Sequence, residues 1–401
     1  MAITGIGAVS VLGCSLDDIS DSLKNGRSGI IADEERSGLG FECSLTGRIE
    51  NFDPSQWLSR KQRKTMPDFA VQAYAAVRQA LDLSGLDDAD LRNDETGLVF
   101  GCDSSCIAAL EQVRLLEQRG QTSLIGSGAV FRSMTSCVTM NLNGLLGTRG
   151  AAWTISSACS SGGHAVGQAA GLIASGQQER LICGGAQEIN WQSMCSFDGL
   201  GAFAANTDDP TKGSRPFDKE RSGLVPSGGA AAIVLERLDL AIKRGAKILG
   251  TVAGYGFSSD GEHISVPSDT GLARAGAKAL KQAGISPAEV DYICAHATST
   301  PAGDAAEARN IRTLFAGCNP AISSTKSMTG HELWMSGAAQ VVYTVLMNRD
   351  GFMAPNINFN DGGEETRGLD IITQTRPVAP QTALLNSAGF GGTNACLILK
   401  F

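Results

Sequence analysis

Cys159 lies in the stretch TISSACSSGGHAVGQAAG, residues 154–171. The residues before it, AWTISSA, read as a strand, and SSGGHAVGQAAGLIASG reads as a helix of small residues ending at Gly176. A cysteine at such a strand-to-helix turn meets unpaired N–H groups and the positive end of the helix dipole. Both are expected to lower its pKa and favour the thiolate, and the same N–H groups can bind an oxyanion. Gly162, Gly163, Gly167 and Gly171 weaken helix propensity, so close backbone packing is the expected compensation. The alternatives to a nucleophile are a packing residue, half of a disulfide and a metal ligand. Eleven cysteines at scattered spacings, with Cys102 and Cys106 the nearest pair and no CxxC or Cys/His set, argue against the last two.

A nucleophile needs partners, and the chain has four histidines. His296 and His331 fall in polar, glycine-bearing loops, CAHATSTPAGDAAEARN (294–310) and SSTKSMTGHELWMSGAAQ (323–340). Each loop follows a predicted strand, and sites in α/β proteins form at such strand ends. His164, one turn into the helix, is expected to pack. His263, in SSDGEHISVPS, is expected at the surface or a pocket rim.

The elements that must position these residues alternate between apolar runs and helical patterns, the signature of an α/β fold. Strands are expected at AITGIGAVS, TGLVFGC, AAWTISSA, RLICGGAQ and GGAAAIVLERL, then at KILGTVAGYGFSS, VDYICAHA, PAISSTK, TALLNSAGF and NACLILKF. Helices are expected near 69–83, 108–118, 160–175, 270–283, 303–315 and 336–348. Each half opens on a strand with Gly-x-Gly (Gly5-Ile6-Gly7, Gly254-Tyr255-Gly256) and closes on two apolar strands, so a duplicated unit with a seam near 240–248 is expected. The first Gly-x-Gly is not a dinucleotide fingerprint: Ser10 stands at the third glycine, and no acidic residue follows at the ribose-binding distance.

A net charge of −8 argues against nucleic-acid binding. No apolar run suits a membrane span, the N-terminus lacks signal-peptide features, and the cysteine pattern suits a reducing cytoplasm. One local exception is SRKQRKT (59–65), a basic cluster suited to a solvated face or to an acidic partner.

Taken together, SSACSSG, HATSTPAGDAAE, STKSMTGH and NSAGFGGTNA, with SRPFDKERSGLV and SSDGEHISVPS, resemble the β-ketoacyl-acyl carrier protein synthases, the condensing enzymes of fatty acid and type II polyketide synthesis. The resemblance spans the whole chain and leans toward the elongating synthases. It implies a thiolase-like α/β fold of two related halves in an αβαβα arrangement, 1–245 with the nucleophile and 246–401 with both histidines. Cys159 would carry the acyl chain as a thioester, and His296 and His331 would hold the enolate oxygen left by decarboxylation of malonyl carrier protein. The Cys159 and Phe390 N–H groups would form a second oxyanion hole, with Phe390 also the gate to the acyl pocket. Lys326 would join the catalytic set and pair with Glu307, Asp304 would support them, and Thr298 and Thr300 would contact the pantetheine arm. Arg60, Lys61 and Lys64 would dock the acidic acyl carrier protein. The resemblance implies no metal or cofactor beyond the carrier's phosphopantetheine, and either a homodimer or a heterodimer with a chain-length-factor-like subunit.

The chain departs from the family pattern at several positions. Ala297 replaces a glycine, Ala388 an aromatic residue, Trp334-Met335-Ser336 a Gly-Ala-Ala run, and Ser222 and Leu224 a carboxylate and an aromatic residue. A tryptophan and a methionine where helices approach closely overpack unless neighbours shrink, which makes Leu224 and Ala388 the expected compensations. A correlated reshaping of the acyl channel follows, suited to a polyene or aryl-primed chain. Two other readings are a partner subunit of chain-length-factor type and a thiolase-like acyl-CoA enzyme. The presence of Cys159 disfavours the first and the two-histidine set the second.

Overall fold

The computed structural model describes residues 1–401. The first half of the chain forms β1 (Ala2–Val9), α1 (Asp68–Ser84), β2 (Thr96–Gly101), α2 (Cys137–Leu146), β3 (Ala152–Ile155), α3 (Ser161–Ala174), β4 (Arg180–Gln187) and β5 (Gly229–Glu236). The second half repeats the order with β6 (Gly250–Ser259), α4 (Gly271–Ala283), β7 (Tyr292–Cys294), α5 (Pro301–Leu314), β8 (Ala321–Ser323), α6 (Ser336–Asp350), β9 (Thr382–Gly389) and β10 (Thr393–Lys400).

The strands run β8-β7-β9-β10-β6-β1-β5-β4-β2-β3, with a two-residue strand, Asp370–Ile371, added outside β8. Outward from the centre, each half reads antiparallel, antiparallel, parallel, parallel: β1-β5-β4-β2-β3 and β6-β10-β9-β7-β8. Within the sheet, the two halves pair through β1 and β6 at Ala2↔Thr251 and Ile3↔Gly250.

Layering follows from which faces are apolar. In β5, Ala231, Ile233 and Leu235 enter a central core with α3 and α6, while Ala230, Ala232 and Val234 enter an outer core under α1 and α2. In β9, Ala383 and Leu385 face the central core and Leu384 faces a second outer core under α4 and α5. Strands covered on both faces read as continuous apolar runs, which is how they appear in the sequence. Helices α3 and α6 touch strands of both halves, so they form the middle layer of an αβαβα stack. Every residue of α6 from Ser336 to Met347 is buried. Its polar groups are satisfied locally: the Thr344 hydroxyl donates to the Gln340 carbonyl at 2.7 Å, and the Gln340 amide donates to the Ala295 carbonyl at 2.9 Å.

The two Gly-x-Gly pairs serve this layering. A Cβ on Gly5 or Gly7 would land on the carbonyl oxygens of Ala80 and Ala76 in α1, and one on Gly254 or Gly256 on those of Ala279 and Ala275 in α4. Glycine lets the first helix of each half lie directly on its opening strand. The ten expected strands and six expected helices all form. A small sheet of Ile30–Ala32 with Leu45–Gly47 and the helices Leu16–Lys24 and Trp191–Gly199 had not been expected. Strands β7 and β8 are three residues each, shorter than their apolar runs, because the chain leaves the sheet at once for the loops that carry the histidines.

Candidate active site

The loops after β3, β7, β8 and β9 converge on a cavity of about 400 Å³ lined by Cys159, His296, His331 and Phe390. Cys159 sits between β3 and α3, and the preceding residue, Ala158, adopts a left-handed conformation with φ 46°. A non-glycine residue there is strained by about 1–3 kcal/mol, and its neighbours hold it. The Ala158 N–H donates to Asp103 at 3.0 Å, the Ser156 hydroxyl donates to the same carboxylate at 2.6 Å, and the Ser161 hydroxyl donates to the Ala158 carbonyl at 2.6 Å. From β9, Gly389 brings the next turn against this one: a Cβ there would lie 3.1 Å from the Cys159 nitrogen.

The Cys159 sulfur is buried, and burial pushes its thiol up to about 12. Lys326 pulls it down, Asp103 pushes it up, and the Cys159 and Phe390 N–H groups pull it down. The thiolate expected from the helix N-terminus is therefore not the resting form. Desolvation of the sulfur outweighs the dipole and N–H groups, which leaves those groups to act on charge that develops during reaction.

The rings of His296 and His331 meet edge to face, centres 5.2 Å apart. The His331 Nδ1 accepts the Leu333 backbone N–H at 3.3 Å, and the Ser336 hydroxyl lies at 3.3 Å from the same atom. An Nδ1 that accepts leaves the proton on Nε2. His296 donates its backbone N–H to Glu307 at 2.9 Å, and its buried Nδ1 has no partner. Burial holds both imidazoles well below their usual range, with the Lys326 charge acting in the same direction. Each is a neutral ring with one N–H to donate.

Lys326 and Glu307 do not form the contact pair expected of them. Both carboxylate oxygens of Glu307 are taken by N–H donors, from His296, from Ala297 at 2.6 Å and from the Asn386 side chain at 2.8 Å. The Lys326 Nζ is buried without a hydrogen-bond partner, and the two residues act on each other through the field alone. Asp304 ties down the loop after His296 by accepting the N–H groups of Thr298 at 2.9 Å, Ser299 at 3.2 Å and Phe217 at 2.8 Å. Thr298 and Thr300 line the cavity with their hydroxyl oxygens 3.1 Å apart. Phe390 is 40% exposed at the cavity mouth, and its ring stacks on Phe197, which stacks on Phe203 (centres 6.1 and 6.3 Å).

His263 lies at the cavity rim, and His164 packs with its Nδ1 2.6 Å from the Tyr255 hydroxyl. Trp334 and Leu224 belong to one apolar cluster with Cys159 and Phe203, so they share a wall. Met335 instead lies in the central core, and Ala388 borders the cavity on the side of the second half's outer core. Of these four departures, only Trp334 and Leu224 fall in one cluster, because the peptide after Trp334 turns the Met335 side chain into the middle layer. Arg60, Lys61 and Lys64 are exposed around a short turn, Gln62–Thr65, and form no ion pair. Asp103 and Glu332 escaped the sequence reading. Asp103 directly follows the GC that ends a predicted strand, a position that could have marked it. Glu332 stands inside the His331 motif but reads as a solvent-facing residue.

A repeated βαβαβαββ unit with a cysteine and two neutral imidazoles between its halves defines a thiolase-like condensing enzyme, an acyltransferase. Residues 1–241 match the N-terminal domain of β-ketoacyl synthases and residues 249–360 their C-terminal domain. A 3-oxoacyl-[acyl-carrier-protein] synthase 1 of Haemophilus influenzae is 40% identical over 405 residues, 99% of this chain and 98% of that protein. A β-ketoacyl synthase from Burkholderia phymatum superposes with a TM-score of 0.93 at 32% identity, covering 100% of this chain and 98% of that one. The ishigamide ketosynthase/chain length factor superposes with a TM-score of 0.92 at 29% identity, with the same coverage. The chain belongs to the β-ketoacyl synthase family.

Proposed function

We propose that the protein condenses an acyl chain, held on Cys159, with malonyl-acyl carrier protein to give a β-ketoacyl carrier protein. The observation that carries this reading is the convergence of one thiol, two neutral imidazoles and the Phe390 turn on a single cavity. In the first step the Cys159 sulfur attacks the carrier's acyl thioester. The carrier's C–S bond breaks, and the Cys159 proton ends on the departing pantetheine thiol. In the second step the malonyl C–C bond breaks, carbon dioxide leaves, and the electron pair moves into an enolate. Its oxygen takes N–H bonds from His331, through Nε2, and from His296. In the third step the enolate carbon attacks the acyl carbonyl, whose oxyanion takes the Cys159 and Phe390 N–H groups. The Cys159 C–S bond breaks, and the sulfur takes up from water the one proton that the overall condensation consumes. Thr298 and Thr300 hold the pantetheine arm, Asp304 and Glu307 fix the loop that carries His296, and no other cofactor is called for.

Arg60, Lys61 and Lys64 supply the positive surface for an acidic acyl carrier protein. The edge strand β3, with Trp153 half exposed, and the exposed Val113, Val130, Phe131 and Met134 are the surface for a second subunit, a copy of this chain or a chain-length-factor-like partner. A cytoplasmic location belongs to this reading and rests on eleven free thiols; no helix is long and apolar enough to cross a membrane. The parallel rings of Phe203, Phe197 and Phe390, beside a wall altered at Trp334 and Leu224, favour flat acyl chains, polyene or aryl-primed.

The test combines purified protein, malonyl carrier protein and a panel of saturated, polyunsaturated and aryl-primed acyl carriers, with intact mass spectrometry of carrier and enzyme. Acylation at Cys159 and a product two carbons longer are expected. Acylation without product would mean that a partner subunit completes the enzyme, and product without a Cys159 adduct would overturn the nucleophile.

A further inference from the structure

We propose that Glu332 is a positioning residue for this reaction: a carboxylate fixed in the buried wall behind His331 that balances the charge of Lys326 and thereby sets the reactivity of Cys159. The proposal rests on the reading of Cys159 as the acylated residue.

Glu332 directly follows His331 and is 1% exposed. Its Oε1 accepts the Tyr343 hydroxyl at 2.5 Å, and the Tyr343 oxygen lies 2.8 Å from the Ser10 hydroxyl, just beyond β1. Ser10 in turn accepts the Leu12 N–H at 3.3 Å. This chain of bonds ties a carboxylate of the second half to the first half, and all three side chains are buried. Such a carboxylate is destabilising unless it answers a nearby positive charge.

That charge is Lys326, also 1% exposed, whose Nζ has no hydrogen-bond partner. The groups that face it are the carboxylates of Glu332 and Glu307, the thiols of Cys159 and Cys294, and the imidazoles of His296 and His331. Glu307 is committed to three N–H donors of the histidine loop and its neighbour Asn386. Glu332, which has one hydroxyl donor at hydrogen-bonding distance, acts on Lys326 more strongly than Glu307 does, and because burial pushes its own carboxyl up to about 7, it helps hold Lys326 as an ammonium above that pH. Lys326 is in turn the strongest of the influences that pull the Cys159 thiol down. The order of action is therefore Glu332, Lys326, Cys159.

The test follows Cys159 alkylation by iodoacetamide from pH 6 to 10 on the full-length protein, read by intact mass, with Cys159→Ala as background. Glu332→Gln keeps the shape and an acceptor for Tyr343 but removes the charge. Its alkylation profile is expected to move about one pH unit upward, a roughly tenfold slower reaction at fixed pH. Glu332→Asp is expected to return most of the shift. In a Lys326→Met background Glu332→Gln should add nothing. A profile that stays in place or moves downward overturns the proposal, as does an undiminished shift in the Lys326→Met background. Should Glu332→Gln fail to fold, Glu332→Asp decides: a small upward shift supports the proposal and an unmoved profile overturns it. Absence of acylation at Cys159 by acyl carrier protein would instead overturn the reading of the nucleophile, and the alkylation profile reports separately.

Discussion

Asp103, on the loop after β2, accepts the backbone N–H of Ala158 at 3.0 Å and so fastens the left-handed residue that aims Cys159 into the cavity. The same carboxylate pushes the Cys159 thiol up. Asp103→Ala therefore separates aim from acidity. Acylation by acyl carrier protein should slow by about tenfold as the strained turn relaxes. Alkylation by a small reagent, which needs little aim, should hold its rate or quicken. Rapid-quench acylation set against alkylation rates checks this, and an equal fall in both would remove the positioning role.

The histidines act on the malonyl half of the reaction. Cys159→Ala should abolish condensation and leave malonyl decarboxylation measurable. Adding His296→Ala or His331→Ala should cut that decarboxylation by about 10²–10³-fold, the loss of one oxyanion donor. Wild-type decarboxylation in both histidine variants would refute the enolate role.

Because burial holds both imidazoles well below the usual histidine range, they are already neutral at pH 6.5. Decarboxylation by Cys159→Ala should show no acid limb centred at the ordinary histidine value of about 6.5. The sign is fixed by the direction of the shift: acid would protonate the rings only well below that value. Burial pushes Asp304 and Glu332 up to about 7, so a limb near 6.5 that persists in Asp304→Asn and in Glu332→Gln would mean that the rings are solvated when malonyl carrier protein binds.

Leu224 and Trp334 share the wall that contains Cys159. Leu224→Phe should overpack it and destabilise the protein by about 1–3 kcal/mol. In a Trp334→Leu background the same substitution should be nearly free, a coupling of at least about 1 kcal/mol. Denaturant melts of the four proteins measure the coupling. Additive effects would show that the two residues do not exchange volume.

The exposed basic turn should matter to encounter rather than chemistry. Arg60→Glu, Lys61→Glu and Lys64→Glu combined should raise KM for malonyl carrier protein at least about tenfold at low salt, with a smaller effect on kcat. The difference from wild type should shrink as ionic strength rises. A KM unchanged at low salt would place the carrier elsewhere.

The β-strand runs were legible because both faces of each sheet are covered, and coverage writes itself as unbroken apolar stretches such as AAIVL in β5. The duplication showed in the paired Gly-x-Gly motifs, whose cause is a helix lying on a strand. Of the elements missed, Leu16–Lys24 did carry a local signal, Ser15 as N-cap with Leu16, Ile19 and Leu23 at helical spacing, whereas Trp191–Gly199 has an irregular pattern whose stability comes from what it packs against. Within the site, the chemical types of Cys159, His296 and His331 could be read from their loops, while Asp103 was marked only by its place at the end of a predicted strand and Glu332 has no local mark of its burial.

The sequence by itself determined which atoms could react and the order of elements that carries them, since residue identity, periodicity and turn chemistry are local properties. The tertiary structure alone decided their states. Burial keeps Cys159 a thiol and the histidines neutral, the Leu333 N–H selects the His331 tautomer, and three N–H donors draw Glu307 away from Lys326. Protonation and pairing depend on solvent access and on neighbours hundreds of residues away, and only the folded chain brings those together.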